Sequence, residues 1–126
     1  MLTIIEKVIS LQSVDVFSEV STQQLSHLAV IAREISFPKG ETIYQEQDRA
    51  DAMYLVLEGS VRVHRDGHEL VVVGAKEVFG TWALFDDQPH VAAATTLEAT
   101  QLLRIDREDF IDLLSDQVQV TEGVIK

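Results

Sequence analysis

The sequence predicts a mostly β domain flanked by short helices, and three observations carry that expectation. Apolar residues recur at helical spacing near both ends but with a period of two in the middle. Gly40, Gly59, Gly67, Gly74 and Gly80 punctuate that middle at short intervals. Asp66-Gly67 is a two-residue turn signal between two apolar runs. About seven or eight short strands follow from this pattern, as in a sandwich, barrel or jelly roll.

Along the chain, Ile4, Ile5, Val8 and Leu11 carry a helical stripe within Thr3 to Leu11. Ser21 with Gln24 three residues later reads as a capping box, and its helix places Leu25, Leu28, Ala29 and Ala32 on one core-facing stripe. From Arg33 the period becomes two, with Ile35 and Phe37 alternating with Glu34 and Ser36 up to the turn at Pro38-Lys39-Gly40. Further strands are expected at 42–45, 53–58, 60–65, 68–73, 91–97 and 101–105. The Asp66-Gly67 turn pairs Arg65 with His68, Val63 with Leu70 and Val61 with Val72, which puts Val61, Val63, Leu70 and Val72 inward. Asp106 is a candidate N-cap for a helix whose stripe is Phe110, Ile111 and Leu114. Another helical pattern starts near Val118 and is cut at Lys126, as in a domain excised from a longer protein. The expected organisation is one domain over 1–126, with helices in 1–33, the strands in 34–105 and helices again in 106–126.

Composition narrows the function. A chain of 126 residues forms one domain with a core of its own. With no cysteine, disulfides and thiolate metal sites are excluded. A formal net charge of −11 disfavours nucleic acid and anionic membrane surfaces as partners of this chain. No apolar run approaches the ~20 residues of a membrane helix, and Met1 to Gln12 is too charged and too periodic for a signal peptide, so a cytoplasmic chain is expected.

Signs of an enzyme are sparse. Ser10, Ser13, Ser18, Ser21, Ser26, Ser36, Ser60 and Ser115 lie in no nucleophile-elbow context, and neither a phosphate-loop motif nor a zinc-protease motif occurs. His64 and His68 have the spacing of a metal pair but point to opposite faces of the predicted hairpin. Asp86-Asp87 reads as a surface turn rather than a catalytic carboxylate pair.

The informative stretch is Glu77 to Ala93. A strand ends at Phe79, Gly80 opens the backbone, and one helical turn follows at Thr81 to Leu84. Backbone N–H groups at such a start can cradle an anion. Pro89 then resets the chain into a strand whose Ala92, Ala93 and Ala94 leave room for something to lie against it. From the residues alone, a tight connection with no ligand is the simpler reading, and Trp82 is read as a core residue.

These residues resemble the phosphate-binding cassette of cyclic nucleotide-binding domains, the family of catabolite activator protein and protein kinase A regulatory subunits. Phe79-Gly80-Thr81-Trp82-Ala83-Leu84 and Pro89-His90-Val91-Ala92 match its two halves with the right spacing. Phe37 to Ile43, Gln47-Asp48, Met53 to Val63 and Asp106 to Phe110 resemble its other landmarks, so the resemblance covers nearly the whole chain. It implies a double-stranded β-helix, a jelly-roll-like β-roll of eight strands, with cassette 79–92 as the ligand site. It also implies a non-catalytic regulatory module of the kind attached to larger bacterial proteins. The implied partners are other domains of the same longer protein, with a homo-oligomer left open.

Two departures bear on the ligand. Where the family has a glutamate for the ribose hydroxyl and an arginine for the cyclic phosphate, this chain has Thr81 and His90. No Lys or Arg occurs between Lys76 and Arg104 to replace the arginine. Each lost charge-assisted hydrogen bond is worth ~1.5–3 kcal/mol, so two weaken binding by ~100- to ~10,000-fold. The expectation is a cassette in which cyclic AMP or cyclic GMP binding is weak or lost and the domain serves interaction or sensing. The alternative is a working sensor of a cyclic nucleotide or another anion.

Overall fold

A computed structural model of the chain describes residues 1–86 and 88–116, apart from the side chains of Val16 and residues 114–116. Its elements are α1 (Ile4–Gln12), a 3-10 turn at Asp15–Phe17, α2 (Thr22–Ile31), β1 (Arg33–Phe37), β2 (Thr42–Tyr44), β3 (Ala52–Glu58), β4 (Val61–Arg65), β5 (His68–Val73), β6 (Val78–Phe79), a 3-10 turn at Thr81–Leu84, β7 (Ala93–Thr96), β8 (Thr100–Asp106) and α3 (Arg107–Asp116). The strands form two antiparallel four-stranded sheets, ordered β1-β8-β3-β6 and β2-β7-β4-β5. This is the eight-stranded β-roll with helices before and after it. The helical pattern expected from Val118 onward lies outside the described residues.

Strand β3 shows how the layers are built. Its side chains alternate between faces, and both faces are covered. Met53 and Leu55 join Leu103 and Ile105 of β8 in a core with the helices, where Leu11, Phe17, Leu25, Leu28 and Phe110 are also buried. Ala52, Tyr54 and Val56 face the roll interior with Leu102, Val61, Val73, Phe79 and Ala94.

The helices start where local chemistry tells them to. Ser21 and Gln24 form a reciprocal capping box on α2, and Leu25, Leu28, Ala29 and Ala32 are all buried. Thr3 and Glu6 form a second capping box on α1, a Thr-x-x-Glu signal readable in the sequence but missed. Along α1 only Val8 and Leu11 are buried. Ile4 and Ile5 are exposed, because the apolar stripe is wider than the surface it packs on. Val14, Phe17 and Val20, not anticipated as core, are buried around the 3-10 turn. In α3, Phe110 is buried, Ile111 is exposed and Leu113 packs on the core, while the expected Leu114 side chain lies outside the described ones. The Asp106 carboxylate accepts hydrogen bonds from Arg33 and Arg104.

The β4–β5 hairpin turns at Asp66 and Gly67, whose φ angles of 51° and 79° are both left-handed, as a tight primed turn requires. Arg65 pairs with His68 as expected, but the register then shifts. His64 faces Glu69, while Val63 faces Val71 and Val61 faces Val73. Leu70 is therefore a bulge, and one extra residue inverts the faces beyond it. Val61 and Val73 are buried and Val63 is half-buried, whereas Leu70 and Val72, expected inside, are exposed.

Candidate functional site

The cassette stretch folds as a strand end, a one-turn helix and a return. After β6, the turn at Thr81–Leu84 is closed by hydrogen bonds from the Ala83 N–H to the Gly80 carbonyl and from the Phe85 N–H to the Trp82 carbonyl. Asp86 accepts from the Gln88 N–H at 3.2 Å, a turn stabilised by its own side chain; Asp87 lies outside the described residues. The return is pinned to the β2–β3 connection: the His90 N–H donates to the Asp48 carbonyl, the Gln47 N–H donates to the His90 carbonyl, and Arg49 pairs with Pro89. The strand expected over 91–97 occupies Ala93–Thr96.

This framework surrounds a cavity of about 430 Å³. Gly80, Trp82, Ala83, Pro89, His90, Val91 and Ala92 of the cassette line it, together with Tyr44, Ala50, Val63, Asp86 and Gln88. Phe79 and Leu84 are buried in the core instead. Thr81 is half-buried and outside the lining. Trp82 is 79% exposed, so the core position expected for it is wrong. The reason is geometric: Ala83 and Leu84 use the inward side of a single short turn, and the preceding residue is left at the mouth.

His90 is the cavity's one imidazole. Its ring stacks on Tyr44, with ring centroids 3.5 Å apart and planes 6° from parallel. Burial pushes its pKa below the ordinary value, partly opposed by the nearby charges of Asp51 and Asp48. Burial also pushes the Tyr44 hydroxyl pKa up. Tyr44 in turn lies 6.1 Å from Tyr54 and 6.2 Å from Phe79, centroid to centroid. Tyr54 stacks on Phe79 at 5.0 Å, and Arg104 sits 5.6 Å from the Tyr54 ring while donating to its hydroxyl at 3.0 Å. An aromatic column thus runs from the cassette cavity to Arg104.

Arg104 belongs to a second, larger cavity of about 530 Å³, rimmed by Arg49, Asp51, Asp106, Arg107 and the acidic start of α3. There Arg104 bonds Asp106 at 2.5 Å and Asp51 at 3.3 Å. The backbone pairing places Arg49 opposite the cassette proline, a proximity invisible in the sequence, yet Arg49 lines this cavity and not the cassette one. No Lys or Arg is among the described residues lining the cassette cavity. His64 bonds Thr95 Oγ1 at 2.9 Å, a neighbour on β7.

The two antiparallel sheets and the strand–turn–strand stretch that lines the cavity place the domain in the β-roll class. The family model for the cyclic nucleotide-binding domain matches residues 34–117, and the chain belongs to that family. It is 26% identical over 116 residues to a CRP-like cAMP-activated global transcriptional regulator of Mycobacterium tuberculosis, covering 88% of this chain and 52% of the relative. It is 37% identical over 83 residues to the cyclic AMP receptor protein of Thermus thermophilus, covering 62% and 38%. It is 30% identical over 114 residues to a cAMP-dependent protein kinase regulatory subunit of Dictyostelium discoideum, covering 84% and 33%. The chain therefore spans about half or less of these relatives. Among solved structures, the N-terminal domain of a transcriptional regulator from Streptomyces coelicolor superposes with a TM-score of 0.85 at 28% identity, covering 94% of this chain and 85% of that one. No helix among the described residues is long and apolar enough to cross a membrane.

Proposed function

We propose that this chain is a non-catalytic regulatory domain of the cyclic nucleotide-binding type in which cyclic AMP and cyclic GMP binding is weakened or lost. It serves a larger protein as an interaction or sensory domain. One observation carries this reading: the described lining of the cassette cavity has no Lys or Arg, while Asp86 contributes a carboxylate and His90 is biased toward its neutral form. A cyclic phosphate entering there exchanges water for a site without a full opposing charge, which is unfavourable.

A second reading, retained binding of a cyclic nucleotide or another anion, is favoured by the cAMP-responsive relatives in M. tuberculosis and T. thermophilus. Thermal melts separate the two. The proposal expects no shift in melting temperature with micromolar cyclic AMP or cyclic GMP. A saturable rise at micromolar ligand establishes the second reading.

A further inference from the structure

Resting on the reading that the cassette cavity has lost its phosphate partner, we propose that it binds an uncharged, planar heteroaromatic ligand of about nucleoside size. The cavity volume of about 430 Å³ lies within the range of small-molecule sites. Val63, Pro89 and Ala92 give its lining apolar surface. At the mouth, Trp82 and Val91 are 79% and 71% exposed, so two large apolar side chains flank an opening. A flat ring entering there covers apolar surface and gains an indole face, a sequence-tolerant form of recognition.

Charge decides which rings fit. Asp86 is in the lining, no Lys or Arg is among the described residues there, and the whole chain carries −11. A phosphate is repelled by this field; a neutral ring is indifferent to it. The polar residues of the lining, Asp86, Gln88 and His90, carry groups of the kind that pair with ring nitrogens and hydroxyls. The same heterocycle with its phosphate removed is thus the better ligand.

Trp82 is the chain's one tryptophan, so its fluorescence reports on the cavity mouth alone. The experiment titrates the full chain with adenosine and, separately, with cyclic AMP at one ionic strength. The expected result is a saturable change with adenosine at a concentration at least about tenfold below that for cyclic AMP. In Asp86→Lys, an exchange at an exposed side chain, the preference for adenosine should shrink at least about threefold. No saturable response to either probe overturns this inference and leaves the weakened-cassette reading standing. Cyclic AMP binding as tightly as adenosine overturns this inference, and at micromolar concentration it overturns the weakened-cassette reading as well. An unchanged preference in Asp86→Lys overturns the charge argument and the proposal with it.

Discussion

The imidazole of His90 lies parallel to the ring of Tyr44, its centroid 3.5 Å away, although the two residues belong to different limbs of the roll. That stack joins the cassette return to β2. Burial lowers the His90 pKa from its ordinary 6.5, so the unfolded chain takes up the proton first as pH falls. The stability tied to neutral His90 is therefore present above that ordinary value and lost on acidification through the window below it. Wild type should lose more melting temperature than His90→Phe between about pH 7 and about pH 5. Equal losses in the two proteins would contradict this.

Gly59 and Gly67 both have positive φ, 101° and 79°, but their surroundings differ. A Cβ at Gly59 would lie 2.5 Å from Thr100 Oγ1 and 2.7 Å from the Ala99 carbonyl, whereas one at Gly67 meets nothing within 4 Å. Gly67→Ala should cost about 1–2 kcal/mol of backbone strain alone. Gly59→Ala adds a clash with backbone and should cost at least about 3 kcal/mol. Urea denaturation of the two variants checks the order; equal costs would refute it.

Trp82 and Phe110 test the division between mouth and core. Trp82→Ala should change stability by no more than about 0.5 kcal/mol, since the side chain is 79% exposed. Phe110 is fully buried and meets Phe85 edge-on at 5.8 Å, so Phe110→Ala should cost about 3–5 kcal/mol. Chemical denaturation midpoints measure both, and a large loss in Trp82→Ala would return that indole to the core.

What the sequence revealed was mostly local. Ser21 and Gln24 are three residues apart, and Asp66-Gly67 carries its turn in two residues, so both were legible. The Leu70 bulge was not. After Glu69 the strand reads Leu70-Val71-Val72-Val73, and an unbroken apolar run has no alternation to fix its register. The cassette was placed by its motif, but the motif does not say which side of a single helical turn faces inward, and Trp82 was misplaced for that reason. The His90–Tyr44 stack and the Arg49–Pro89 pairing join residues far apart in the chain, and nothing local marks them.

A calorimetric titration with cyclic AMP tests most directly whether the cassette backbone survives while its polar partners are missing. Wild type, Thr81→Glu, His90→Arg and the double variant are compared in one buffer. His90→Arg places a full charge with bidentate geometry in the cavity lining, and Thr81→Glu offers a longer acceptor from just outside it. The prediction is undetectable or millimolar binding by wild type and a gain of at least about 100-fold in the double variant, larger than the two single gains combined. Tight binding by wild type, or a folded double variant that binds no better than wild type, would contradict the account.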